Sequence, residues 1–182
     1  MSQAFRSADR LGPNPLAGID AVVAEQLLGE ALAAGGDYAD LYFEFRCGAD
    51  FVLEETQVRS VGRVLVVGLG VRVLRGDATG YAYTEELSAA RMSEAARTAG
   101  QIAAAGGQVT PMALTLIQGS DTYPVPESSL DRPGPDKVAL LRRADTAARA
   151  FDARIVRVEV SLSEEWREIL VFTSDGRLAQ DR

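Results

Sequence analysis

Residues 35–87 read GGDYADLYFEFRCGADFVLEETQVRSVGRVLVVGLGVRVLRGDATGYAYTEEL, and in several parts of this stretch apolar residues recur at every second position. Leu41, Phe43 and Phe45 alternate with more polar neighbours, which is the period of a half-buried β-strand. A second run places a fully aliphatic set on one face: Leu65, Val67, Leu69, Val71 and Val73. A tight turn at 75–77 follows, and the residues after it alternate again. The stretch therefore predicts a β-hairpin.

Three amphipathic helices are predicted outside this hairpin. The first covers 21–34 with Asp20 as its N-cap, the second begins at Leu87 or Ser88 and stops at the glycines 106–107, and the third covers 137–151. The predicted inward faces are Val23, Leu27, Ala31 and Ala34 in the first helix, Met92, Ala95, Ala96, Ala99, Ile102 and Ala103 in the second, and Leu140, Ala144, Ala147 and Phe151 in the third. Because the inward face of the second helix is mostly alanine, we expect this helix to pack closely on Gly68 and Gly70, which carry no side chain.

The remaining chain predicts further strands. One is expected within 109–118, and a long segment at 119–133 is a lid, a partner-binding arm or a crossing connection. Two more are expected at 156–162 and 169–173, with Glu164 and Glu165 at the turn between them and a second turn at 174–176. The short return after that turn predicts an unpaired sheet edge near 177–182, as if the sheet were cut. The pattern is that of an α+β domain, a mostly antiparallel twisted sheet with about three helices packed on it, in which 1–17 form a loosely ordered leader and 18–182 the domain.

The sequence contains the motifs DYADLYFE at 37–44, VLEE at 52–55 and GLGVRVLRGDATGYAYTEELS at 68–88, and weaker similarities lie at 137–152 and in ILVFTSDGRLAQD at 169–181. Together these motifs resemble the amino-terminal domain of the TldD/PmbA family, zinc peptidases also called modulators of DNA gyrase. The motifs GLGVR, TGYAY and DGRLAQD favour the TldD branch of the family over its PmbA (TldE) partner.

The resemblance implies a zinc peptidase whose metal is held by a HExxxH helix and a distant cysteine, all in a larger carboxy-terminal region. This chain has no histidine and one cysteine, Cys47, so we expect it to hold no zinc and to contribute no catalytic, cofactor-binding or metal residue. Cys47 is interpreted as an ordinary small residue at a strand end. Zinc is expected in the full-length parent, and this chain should be inactive alone.

Other catalytic arrangements are also disfavoured. Without histidine there is no Ser-His-Asp or Cys-His pair, and the sole lysine, Lys137, is interpreted as a solvated residue at a helix start and not as a Schiff-base amine. The adjacent carboxylates at 54–55, 85–86 and 164–165 are interpreted as solvated surface, because neighbours on a strand point to opposite faces. The glycines at 68 and 70 continue a strand and open no helix, which is not a dinucleotide site.

The amino-acid composition indicates which binding partners and which cellular compartment to expect. The chain has 182 residues, and 26 acidic against 19 basic residues give a formal charge of −7 with no basic block, which disfavours nucleic acid and anionic membranes. One cysteine, no apolar run of about twenty residues and no signal-peptide core favour the cytoplasm.

Three functions remain open. The leading hypothesis is the noncatalytic amino-terminal part of a cytoplasmic TldD-like zinc metallopeptidase, which pairs with a PmbA/TldE-type subunit and acts on unfolded or extended peptides. Its role would be to shape the cleft and the subunit interface, with exposed sheet edges pairing with the peptide backbone. The alternative is a free-standing binding module that pairs with a TldD/PmbA peptidase subunit. A third hypothesis, an adaptor for a DNA-topology enzyme, is disfavoured by the charge.

Overall fold

The computed structural model describes residues 14–104, 115–117 and 128–181. Within them the helices are α1 (Ala21–Leu32), α2 (Ala89–Ala103) and α3 (Gly134–Phe151), with one turn of 3₁₀ helix at Ser129–Asp131. The strands are β1 (Tyr38–Glu54), β2 (Gln57–Arg75), β3 (Ala78–Thr84), β4 (Thr115–Ile117), β5 (Glu159–Thr173) and β6 (Arg177–Asp181). None of the helices described is long and apolar enough to cross a membrane.

The six strands form one sheet in the order β3-β2-β1-β5-β6-β4. Strand β2 pairs with β3 and β5 pairs with β6 in antiparallel fashion, whereas β4 and β6 are parallel. The predicted α+β fold with a mostly antiparallel sheet and three helices is confirmed. Its central hairpin is confirmed as well: Arg75 pairs with Ala78, and Gly76 takes a φ of +50°, which glycine adopts without the strain of a Cβ.

The chain divides into two compact units. The described part of unit 1 is 46–65 and 128–166, and that of unit 2 is 14–45, 66–104, 115–117 and 167–181. The leader predicted at 1–17 lies outside the described residues up to position 13. Beyond that point, in unit 2, Leu16 is buried, and the Asn14 side-chain amide donates to Glu168 Oε2 at 2.6 Å.

Unit 2 is built around small residues at close contacts. Asp20 caps α1 as predicted, its Oδ1 accepting from Val23 N at 2.9 Å. A Cβ placed on Gly100 of α2 would lie 2.2 Å from the Ala31 carbonyl oxygen of α1, and one on Gly80 of β3 would lie 2.0 Å from the Ala99 carbonyl oxygen of α2. Only hydrogen fits at either position, so these two glycines set the approach of the two helices and the strand.

The predicted packing of α2 on Gly68 and Gly70 is wrong. These glycines share a side of β2 with exposed Arg72, whereas buried Leu69 and Val71 occupy the other side. The close contact with α2 is made by Gly80 instead. The buried face of α2 itself was predicted correctly except for Ile102, which is exposed. The glycines 106–107 expected to end this helix lie outside the described residues.

In unit 1, α3 packs on the part of the β1–β2 hairpin that lies nearest its turn. Its core contains Ala49, Phe51 and Leu53 of β1 and Leu141 of α3, and partly buried residues of β5 and the 3₁₀ turn surround it. The predicted inward face of α3 is wrong: Leu140 and Phe151 are exposed, and Ala144 and Ala147 are exposed with them. The helix instead buries Lys137, Leu141 and Asp145. Positions four apart on a helix share a face, so this face includes two charged residues, which a search for apolar stripes overlooks.

The carboxy-terminal strands also differ from their prediction. The turn expected at Glu164 and Glu165 does not exist, because β5 runs without interruption from Glu159 to Thr173. The turn at 174–176 is confirmed, with Gly176 at a φ of +87°. The unpaired edge expected near 177–182 is contradicted at Arg177–Ala179, where β6 lies between β5 and β4. The predicted strand at 109–118 is present as the short edge strand β4, and 109–114, 118 and most of the predicted loop lie outside the described residues.

Candidate functional site

An unpaired strand edge in unit 1 is the feature best suited to binding. Among the described residues, β3 pairs with β2 only from Leu69 onward, so residues 57–65 of β2 have β1 on one side and no strand on the other. All nine of these residues are exposed, including Val58, Val61, Val64 and Leu65. Backbone donors and acceptors that point away from β1 are available to another extended chain. We call residues 57–65 the open edge.

A strained turn holds the start of the open edge. Glu55 and Thr56 join β1 to β2 with φ values of 49° and 64°, a left-handed conformation that is uncommon for residues other than glycine. The Glu55 backbone N–H donates to the Val158 carbonyl, and its side-chain Oε1 accepts from Val158 N, both at 3.3 Å. Arg149 Nη2 of α3 lies 3.4 Å from the same carboxylate oxygen. The sequence carries no glycine or asparagine at this turn, so turn chemistry did not reveal it.

A buried ion pair joins α3 to β5 in unit 1, next to Phe51 of β1. Lys137 Nζ of α3 donates to Glu164 Oε1 of β5 and lies 5.4 Å from the centroid of the Phe51 ring. The Lys137 and Glu164 side chains are only 8% and 6% exposed. The interpretation of both residues as solvated is therefore wrong. A buried ammonium needs its counter-charge, and the partner lies 27 residues away on another element. Of the remaining carboxylate neighbours, Glu85 and Glu86 are exposed as predicted.

The residues described here do not fit a zinc ion. They contain no group of three histidine, cysteine, aspartate or glutamate side chains that could hold a metal. Cys47 is fully buried and lies inside β1, not at its end, so its interpretation as a strand-end residue is wrong in position. Catalytic zinc needs about three protein ligands and an open position for water, and no such arrangement is found in the described part of the chain.

In unit 2, the side of the sheet that faces away from α2 is rich in tyrosine. Tyr81 and Tyr83 of β3 are exposed on the side opposite Gly80, and they pair in register with Arg72 and Gly70 of β2. The Tyr81 hydroxyl reaches over Gly70, coming within 2.7 Å of where a Cβ would stand.

Arg72 and Asp40, two charged residues on this side of unit 2, are paired. Arg72 makes a two-point contact with Asp40 Oδ2, Nε at 2.8 Å and Nη2 at 2.7 Å, and the Asp40 hydrogen bond is the main cause that raises the pKa of Arg72. Burial, followed by the nearby Asp40, raises the pKa of Tyr38, and burial, followed by Glu44, raises the pKa of Tyr42. Aromatic side chains are enriched in protein–protein interfaces relative to the rest of the surface.

A shallow groove of about 290 Å³ lies where β3 borders α2. Its lining includes Tyr83, Thr84 and Thr98, and its charged residues are the paired Arg91 and Glu94, whose atoms approach to 2.7 Å. The groove contains neither a nucleophile with a base nor a metal-binding group, so it offers contact without chemistry.

The sequence matches two family profiles and several known proteins. The profile described as PmbA/TldA metallopeptidase domain 1 matches residues 39–103, and that of the PmbA/TldA metallopeptidase central domain matches residues 127–182. A Haemophilus influenzae protein named metalloprotease TldD homolog is 34% identical over 149 residues, which cover 80% of this chain and 30% of that protein. The chain thus spans about a third of the length of the curated relatives it matches.

Two solved structures share the fold. A modulator of DNA gyrase from Bacteroides thetaiotaomicron superposes with a TM-score of 0.68 at 14% identity over 91% of this chain and 39% of its own. TldE from Thermococcus kodakarensis superposes with a TM-score of 0.66 at 16% identity over 87% of this chain and 36% of its own. Sequence profiles, curated relatives and fold therefore agree that this chain belongs to the TldD/PmbA family.

Proposed function

We propose that this chain is the noncatalytic amino-terminal part of a cytoplasmic TldD-type zinc metallopeptidase subunit, with residues 18–182 as its domain. It shapes the peptide cleft and the contact with a PmbA/TldE-type subunit, and it binds neither nucleic acid nor membrane. The curated relatives named TldD homologs support the branch, and the absence of histidine supports the lack of catalysis. Zinc belongs to the full-length parent in this proposal, not to this chain.

The open edge carries the proposal. A peptidase that accepts unfolded substrates needs affinity for backbone that does not depend on one sequence, and a strand edge supplies it through main-chain hydrogen bonds. Nine exposed residues in one continuous strand can align a peptide of about the same length. The tyrosine-rich side of unit 2 supplies a second surface, which we assign to the contact with the partner subunit because aromatic side chains are enriched in protein–protein interfaces.

The test of edge pairing is a peptide that keeps its side chains but loses its backbone donors. A labelled nine-residue extended peptide is titrated with the chain by fluorescence anisotropy, beside the same peptide N-methylated at alternate amides. Each lost hydrogen bond is worth about 0.5–1.5 kcal/mol, so losing about three should weaken binding roughly tenfold or more. A peptide methylated on the other alternate set is the matched control, since only one set faces the edge. Equal binding of all three peptides, or binding of none, would overturn the proposal.

The alternative, a free-standing binding module, differs from this proposal only in having no catalytic region in the same protein. The resemblance to TldD proteins predicts that the coding frame continues beyond Arg182 into a longer region with HExxxH and a later cysteine. Such a protein, mixed with a PmbA-type subunit, should cleave an unstructured peptide and stop when a chelator removes zinc. A chain that binds the PmbA-type subunit with no such region encoded would support the module instead.

A further inference from the structure

The open edge is basic in a chain that is acidic. Every charged residue of β2 is an arginine, whereas the whole chain has a formal charge of −7. Two of these arginines, Arg59 and Arg63, lie on the open edge and are exposed. The field along the open edge therefore opposes the net charge of the molecule and selects for a partner with negative charge.

Among the described residues, the contacts around Arg59 leave more positive than negative charge. The Glu54 carboxylate is contacted twice, by Arg59 Nε at 3.4 Å and by Arg157 Nη2. Two guanidinium groups thus share one carboxylate, and their side chains are 55% and 70% exposed. A carboxylate brought by a bound peptide would complete the set, because a guanidinium can donate to more than one acceptor.

The spacing of the arginines defines the complementary peptide. In a strand, residues two and four apart share a face, so Arg59, Val61 and Arg63 face the same way, and the two arginines are about 13 Å apart. A peptide strand paired with the open edge places its own residues opposite these three. We propose that the open edge prefers extended peptides with two acidic residues four positions apart and an apolar residue midway between them.

A second copy of this chain is a poor occupant of the same edge. Pairing two open edges antiparallel brings Arg59 and Arg63 of one copy opposite or diagonal to those of the other, and like charges across strands are destabilising. The complementary charges point instead to an acidic peptide. This inference rests on the proposed function, because it takes edge pairing as the mode of binding.

The experiment compares nine-residue peptides that differ only in charge: TTETVTETT, TTQTVTQTT and TTKTVTKTT. We expect the acidic peptide to bind this chain about tenfold more tightly than the lysine peptide, with the glutamine peptide between them, and the advantage to shrink as salt is raised. TTTEVETTT, with its acids two apart, should lose most of the advantage. In the double variant Arg59→Gln/Arg63→Gln the three affinities should converge.

The matched control is Arg142→Gln/Arg143→Gln, which removes the same charge from exposed positions on α3. It should keep the acidic preference, and circular dichroism should show both variants folded. If all peptides bind equally, the charge preference is overturned while edge pairing stands. If none binds, edge pairing itself fails. An acidic preference that survives in Arg59→Gln/Arg63→Gln, or chain dimers that exclude the peptide, would also overturn the inference.

Discussion

Gly80→Ala should be among the most damaging single-methyl changes in unit 2. The new Cβ would lie 2.0 Å from the Ala99 carbonyl oxygen and 2.7 Å from the Ala103 backbone nitrogen. An ordinary contact needs at least about 3.4 Å, so β3 and α2 would have to separate by more than about 1 Å along this seam. Both obstacles are backbone atoms of a helix and cannot rotate away. Overpacking of this kind costs about 1–3 kcal/mol, and we expect the upper part of that range.

The measurement is the free energy of unfolding from urea titrations of the wild type and three variants. Gly62→Ala is the matched control, since Gly62 also lies in a strand and has nothing within 4 Å of its Cβ position. It should be neutral or stabilise by about 0.4–1 kcal/mol. Gly70→Ala should fall between them, because its nearest obstacle is the end of the Tyr81 side chain, which can move. If Gly80→Ala proves as harmless as Gly62→Ala, the packing of α2 on β3 described above is wrong.

Three further results are expected. Lys137→Met should cost about 3–5 kcal/mol by leaving Glu164 buried without its partner, and Lys137→Met/Glu164→Gln should recover much of the loss; additive losses in urea melts would contradict this. Because the pKa values of Tyr38 and Tyr42 are raised in the fold, their stabilising contribution is complete below about pH 10 and is lost as pH rises through the raised pKa. Ultraviolet titration, with Tyr38→Phe and Tyr42→Phe to assign the signals, should show both tyrosines ionising at higher pH in the folded chain than in the urea-unfolded chain, and ionisation at the same pH in the two states would refute it. After zinc reconstitution and desalting, elemental analysis should find far less than one ion per chain, and a retained equivalent would contradict the proposed lack of a metal site.

Local patterns were sufficient for the central elements of the fold. The alternation of Leu41, Phe43 and Phe45, the turn at Gly76 and the alanine face of α2 were all predicted, because each depends on neighbours within a few residues. The side of β2 that receives a helix depends on tertiary packing. The stripe of Gly68 and Gly70 was therefore assigned to the wrong surface.

Charged residues in buried positions account for the other errors. A pair of glutamates normally indicates a turn or surface, yet Glu164 continues β5 because Lys137 neutralises it from α3. The inward face of α3 was misassigned for the same reason, since Lys137 and Asp145 are buried with their partners. The Lys137–Glu164 pair leaves no local pattern in the sequence, because its members are 27 residues apart, whereas Asp145 is paired with Arg149 on the same helix.

The open edge could be anticipated only in part. The sequence predicted exposed edges that pair with peptides, but it placed the unpaired edge near 177–182, where β4 covers β6 at Arg177–Ala179. The true location follows from the length of β3, which is seven residues against nineteen in β2. Among the described residues, the open edge therefore has no partner strand on the side away from β1. Relative strand lengths depend on where each hairpin ends. The turn at Glu55 and Thr56, which sets one of those ends, has no typical turn residue.

Amide hydrogen exchange, measured with and without an extended acidic peptide, shows whether the open edge pairs with a peptide backbone. A strand edge that gains a partner protects the amides that were open to water, so we expect slower exchange concentrated at residues 57–65, with β3 and β6 unchanged. Protection absent from residues 57–65, or found instead along β3 or β6 while the peptide is bound, would contradict this expectation.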